Sequence, residues 1–325
     1  MNSWERVRKV IDRKIPDAVP RALYDVAIDC FNESTIKRFE KMTGQHPRDC
    51  FRQDLRGIVI PRAHSRDPEV AKLIHDIQTP DQARAAIARW APPVPDPVDL
   101  RRKVEALHAA GYPALVVGTV SDFETSFMRG QEQFFCDLGY QEDWLAVYLD
   151  EITGIAEIQA RAAAQAGADI FGIGDDLGSQ RSLLIAPGMW RELFKPRLKR
   201  IVDAAKNTYP QTRFFLHTDG YVMDIIPDFI EIGVDILNPI QPEVMDPAEI
   251  KRLYGRDLVF FGAISVQHTL PFGTPQDVFN EVKLRMATIG AGSGYLMTPS
   301  HMINDDIPWE NILAFFKAAE KYGNY

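Results

Sequence analysis

Arg213-Phe214-Phe215-Leu216-His217-Thr218-Asp219-Gly220 starts charged, turns apolar, and ends in side chains able to do chemistry. A short apolar run bounded by polar and turn residues reads as a buried strand. The same order recurs along the chain. Ala114–Gly118 is followed by Thr119, Ser121, Asp122 and Glu124, and Asp169–Gly174 by Asp175 and Asp176. Val234–Leu237 leads to Asn238, Pro239 and Gln241, and Leu258–Phe261 leads on to Ser265 and Gln267. Gly294–Met297 precedes Ser300, His301, Asn304, Asp305 and Asp306. Helical patterns lie between, over 99–110, 142–166, 187–206, 223–232, 247–254 and 275–289, and an amphipathic helix from Trp309 to Lys321 closes the chain. Gly111, Gly167, Gly233 and Gly255 stand where helices should stop. Helix alternating with apolar strand means parallel βαβ units. Six such strands follow residue 114, and Val19–Ile28 and Gly57–Pro61 supply two more. Eight strands predict a closed (β/α)8 TIM barrel. An open doubly wound sheet is the alternative, weakened because no GxGxxG follows the first strand.

The remainder predicts one barrel domain over residues 1–325, with N-terminal helices, first strands and an insertion over 1–98 and regular βα units over 99–325. Ser3 is read as the cap of a first helix that Pro16 and Pro20 end, and residues 31–56 as helix plus loop. Residues 62–98, with Ala91-Pro92-Pro93-Val94-Pro95, read as a Pro-rich surface excursion or lid. Hydrophobic residues make up 46% and charged residues 25%, as in ordinary globular proteins. A net charge of −8 argues against a nucleic-acid partner. Cys30, Cys50 and Cys136 form no CxxC pair, so a reducing cytoplasm is expected rather than a disulfide framework. No apolar run approaches the ~20 residues of a membrane helix, and the charged N-terminus has no secretory h-region.

Barrel closure would bring the polar strand ends to one rim, where such barrels carry their chemistry. His217 and Asp219 are two apart and share a side of an extended segment. His301 comes to the rim from the last strand. Two imidazoles and a carboxylate suit Zn²⁺ or another divalent ion. Without metal, the same groups suit acid–base work. The spacing leaves both open.

At these strand ends the chain resembles the uroporphyrinogen decarboxylase superfamily, in its corrinoid-dependent methyltransferase branch. The resemblance rests on Phe214–Gly220, Ile232–Pro242, Phe261–Gln267, Leu270–Pro275, Met297–Ile303 and Pro308–Ile312, with Gly174–Gly178 and Arg129-Gly130. It implies a (β/α)8 barrel with an N-terminal helical extension. It also allows a homodimer. Decarboxylases of this superfamily carry an arginine-rich first strand for their polycarboxylate substrate, whereas Pro20-Arg21-Ala22-Leu23-Tyr24-Asp25-Val26 has one arginine. In the methyltransferase branch a His-x-Cys pair and a later Cys hold zinc. The matching positions here are His217, Asp219 and His301, so both cysteines are replaced by harder ligands.

The resemblance implies methyl transfer between a small methylated compound, such as an aryl methyl ether, and the cobalt of a corrinoid on a partner protein. His217, Asp219, Asp176 and Glu124 are then the catalytic candidates. Asp175, Asn238, Gln241, Gln267 and Ser300 are candidates for holding substrate or corrinoid. A decarboxylase or lyase of a small acid or tetrapyrrole, and a non-catalytic ligand-binding protein, are the competing readings.

Overall fold

The apolar runs are strands in the computed structural model, which describes residues 1–22, 24–25, 28–29, 33–47, 51–61 and 67–325. Two short strands, β1 (Tyr24–Asp25) and β2 (Ile28–Asp29), pair antiparallel. The main sheet holds β3 (Arg56–Val59), β4 (Ala114–Val117), β5 (Ile170–Gly174), β6 (Arg213–His217), β7 (Ile236–Ile240), β8 (Val259–Ile264) and β9 (Tyr295–Pro299). These seven strands are parallel and neighbour one another in chain order. An apolar strand followed by a helix gives this order, because each crossover packs back over the sheet.

Alternation along the strands divides the core. Leu115, Val117, Ile170, Phe215, Ile236, Val259, Phe261 and Leu296 cluster together inside the curl of the sheet. Val116, Phe171, Phe214, Leu216, Leu237, Phe260 and Met297 point the other way, into the packing with the helices. The inner cluster is completed by Val7, Val10 and Ile11 of helix α1 (Ser3–Ile11). That helix lies against the N-terminal ends of the strands, a floor opposite the strand ends that carry His217 and His301.

Several expectations are corrected. Val19–Ile28 is not one strand. Arg21 makes a parallel bridge to Met297, with Met297 N donating to Pro20 O at 2.9 Å and Ala22 N to Met297 O at 3.2 Å. Pro20 lacks an N–H and cannot extend that ladder. On the other side, Asp54 N donates to Arg21 O at 2.7 Å. Part of the expected strand, Leu23, Val26 and Ala27, lies outside the described residues, as do Cys30 and Cys50. The Pro-rich stretch is largely helical. Pro68, Pro80 and Pro97 open helices Pro68–His75, Pro80–Trp90 and Pro97–Ala109, each behind an Asp or Thr cap. Proline fits a first turn because its missing N–H would have no partner there. Ala83, Ala86, Ile87 and Trp90 are buried, so this region is scaffold. Residues 62–66 are outside the description. The cap of α1 is Asn2, in a capping box with Glu5, rather than Ser3, and the helix stops at Ile11, ahead of Pro16. The helix expected over 187–206 breaks at Phe194 into Pro187–Leu193 and Lys195–Thr208, with Pro196 in the first turn of the second. Among the described residues, no helix is long and apolar enough to cross a membrane.

Candidate functional site

His217 ends β6 and is buried, in register with Gly174 on β5 and Asn238 on β7. Its Nδ1 lies 2.6 Å from Asn238 Oδ1. The Asn238 amide is oriented by its other end, since Nδ2 donates to Phe261 O at 3.1 Å. An amide oxygen only accepts, so the imidazole proton belongs on Nδ1. Nε2 then faces Asp176 Oδ1 at 3.7 Å and Asp219 Oδ2 at 4.0 Å. Ligand atoms of Asp176, His217 and Asp219 all lie within 4.8 Å of one another. His301 Nε2 lies 3.5 Å from Asp219 Oδ2, and its ring centre is 6.4 Å from that of His217. The two carboxylates converge on one imidazole nitrogen, and like charges this close repel each other. Only a proton or a cation between them makes the arrangement favourable. A divalent ion with N and O ligands fits this donor set, and the Asn238–His217 bond is the outer-shell orientation such ligands use.

A backbone clasp brings the two loops together. Gly220 has φ of +83°, and a Cβ there would lie 2.4 Å from the Gly178 carbonyl carbon. A Cβ on Gly178 would lie 2.6 Å from Tyr221 N. Only glycine at both positions permits this contact. The loops then exchange hydrogen bonds: Gly178 N to Asp219 O (3.1 Å), Leu177 N to Thr218 Oγ1 (3.1 Å) and Asp219 N to Asp176 Oδ1 (3.0 Å). Gly220 N donates to Gln241 Oε1 from the end of β7.

Asp175 and Asp176 face opposite ways. Asp175 is buried, and its Oδ1 accepts from Phe123 N (3.1 Å) and Glu124 N (2.8 Å). It thereby fixes the start of helix Phe123–Ser126 and holds Glu124 at the exposed end of that turn. Burial first, and the neighbouring Asp122 second, push the Asp175 carboxyl well above its ordinary range. Burial pushes the Asp122 carboxyl up to about 7, opposed by a 2.7 Å hydrogen bond from Thr153 Oγ1. Ser300 is buried at the end of β9, and its Oγ has no hydrogen-bond partner among the described residues. Gln267 is half-buried on the loop after β8.

The structure therefore joins His217 and Asp219 as expected, with Asp176 as the third close group and His301 beside Asp219. Sequence reasoning left Asp176 out of the metal set. The signal was present: consecutive residues of an extended segment point to opposite faces, so one of Asp175 and Asp176 had to face the rim. Glu243 escaped the sequence reading. It accepts a hydrogen bond from Ser265 Oγ at the end of β8.

A parallel curled α/β sheet with an Asp/His cluster at the strand C-termini is the arrangement of barrel-type folds, which carry their sites at that face. The uroporphyrinogen decarboxylase (URO-D) family model matches residues 121–322, and the chain belongs to that family. Over 174 residues it is 29% identical to the methylcobamide:CoM methyltransferase MtaA of Methanosarcina barkeri, covering 54% of this chain and 48% of that one. Over 181 residues it is 23% identical to a uroporphyrinogen decarboxylase of Trichodesmium erythraeum, covering 56% of this chain and 48% of that protein. The match thus spans about half the length of these curated relatives. A methyltransferase from Methanosarcina mazei superposes with a TM-score of 0.65 at 17% identity, covering 99% of both chains, a likeness of fold.

Proposed function

We propose that this chain is a methyltransferase that moves a methyl group between a small methylated compound, of the aryl methyl ether kind, and the cobalt of a corrinoid carried on a separate protein. Residues 20–22 would take the eighth barrel position, between β9 and β3. The observation that carries the reading is the His217 Nε2 faced by two carboxylates, 3.7 and 4.0 Å away, at the strand ends. Family membership and the similarity to MtaA support it. The polycarboxylate substrate of the decarboxylases needs several cations, and the segment 20–26 carries one arginine, Arg21.

Asp176, His217 and Asp219 would hold a divalent ion such as Zn²⁺, with His301 at the edge of the set. Such an ion supplies Lewis acidity toward a departing oxygen. Breaking a methyl–oxygen bond leaves an alkoxide or phenoxide, which needs positive charge or a proton where it forms. Asn238 accepts from His217 Nδ1, so Nε2 is the atom that would serve as ligand or base. His301, 3.5 Å from Asp219, would hold or deliver a proton, and Glu124, exposed on the turn that Asp175 fixes, is the further candidate acid. Asp175 acts through the turn it fixes. Gln241, Gln267 and Ser300 would orient substrate.

Elemental analysis of purified wild type beside His217→Ala tests the metal set. About one Zn per chain, absent from the variant, is expected. No metal in wild type and no uptake on adding Zn²⁺ would sink it. Incubation with cob(I)alamin and an aryl methyl ether tests the reaction through the cobalamin spectrum. Turnover of a small acid without spectral change would favour the decarboxylase reading instead.

A further inference from the structure

At the opposite end of the sheet, the floor carries a second concave site. A cavity of about 400 Å³ lies between α1 and the N-terminal ends of the strands, lined among others by Trp4, Arg8, His108, Asp169, Tyr209 and Arg213. Small-molecule pockets start at roughly 300 Å³, so one bicyclic ring fits. Its walls are fixed by one carboxylate. Asp169 Oδ1 accepts from Trp4 Nε1 at 3.2 Å, while Oδ2 takes His108 Nε2 at 2.6 Å and Ala114 N at 2.8 Å. The Asp169 carbonyl accepts from Arg213 N at 2.9 Å. An indole and an imidazole are thus held as rigid walls, with Tyr209 nearby, its hydroxyl donating to Gln211 Oε1.

The charges decide what kind of ring. The Asp169 charge is satisfied by three donors. Asp12 is shared between Arg213 at 3.6 Å and Lys14 at 3.7 Å. The Arg8 guanidinium lies 5.0 Å over the Trp4 ring and forms no ion pair or hydrogen bond among the described residues. A cation stacked on an aromatic wall, without an anion of its own, sits in a cavity whose acids are already partnered.

We propose that this floor cavity binds a planar aromatic carboxylate, its ring against Trp4 and His108 and its carboxylate on the Arg8 guanidinium. The site is separate from the His217 cluster, and its occupant would tie α1 to the strands beneath it.

Calorimetric titration of the full chain with 2-naphthoate tests this, with neutral 2-naphthamide as the matched probe. Saturable one-to-one binding is expected, weakened about tenfold in Arg8→Gln and about tenfold for the amide, as losing one charge-assisted contact predicts. Arg8 is exposed and makes no side-chain hydrogen bond, so the Gln variant keeps the fold. His217→Ala should bind 2-naphthoate like wild type. No saturable heat, equal binding by Arg8→Gln, or loss of binding in His217→Ala would each overturn the proposal. The last result would put the probe at the other end of the sheet. Failure here leaves the methyl-transfer reading intact, and the reverse holds too.

Discussion

The two ends of one sheet treat aspartate in opposite ways. At the floor, buried Asp54 meets Arg6 Nη1 at 2.6 Å, Ser3 Oγ at 2.9 Å, Arg21 N at 3.0 Å and Arg52 at 3.3 Å. Asp169 likewise has a donor for each oxygen. At the mouth, Asp176 and Asp219 converge on one imidazole nitrogen, with Asp175 and Asp122 buried behind. The floor matches acid to base because its task is to hold α1 against the strands. The mouth leaves negative charge concentrated, which costs stability and is tolerated where a cation or a reacting group is to be bound.

The contrast can be broken from either side. His217→Ala should lower methyl transfer by about a thousandfold while leaving the thermal melt nearly unchanged. A large drop in melting temperature would instead make His217 a structural residue. Asp54→Asn should do the reverse, costing about 2 kcal/mol in urea unfolding because it removes a buried charge that Arg6 and Arg52 share, while Arg6 keeps Asp17 at 2.7 Å. Activity per folded molecule should survive, and unaltered stability would undo the account of the floor. Gly220→Ala forces a methyl into the Gly178 backbone at a left-handed φ, so about 2 kcal/mol of destabilisation should come with loss of metal uptake. Full metal uptake in a stable variant would show that the clasp does not set the cluster.

A further effect concerns pH. Folded Asp122 titrates at about 7 because it is buried, while the unfolded chain releases that proton near 3.8. Between those values the folded state holds a proton that the unfolded state has lost. Stability therefore falls as pH rises from about 4 to about 7, then levels off. Asp122→Asn should flatten that fall relative to wild type in urea melts at pH 5 and 8. Parallel pH profiles would mean that Asp122 is not the group responsible.

The later strands were legible because each is an apolar run buried on both faces. Ala114–Val117, Ile170–Gly174 and Val259–Ile264 lie within or near their expected bounds. Helix Asp143–Gln165 differs from its expected limits by one residue at each end. Arg21–Ala22 was harder, since its pairing to Met297 depends on a partner nearly the whole chain away. Prolines misled over 68–90, where composition suggested a surface excursion and position within the first turn decided helix, while residues 91–95 lie outside any helix. At the site, the histidine and its neighbouring acid could be read from one strand end. That one of Asp175 and Asp176 faces the rim could be read from alternation, but which one, and the Asn238 bond, could not, because both depend on the register between strands.

All three close groups of the mouth cluster come from β5 and β6, which pair directly, with Asp176 and Asp219 joined through the Gly178–Gly220 clasp. The cluster is therefore carried by a single βαβ unit, while the bridge between Arg21 and Met297 joins the two ends of the chain. Damage at the seam between Arg21 and Met297 would first loosen the walls around the cluster, and only later the cluster itself.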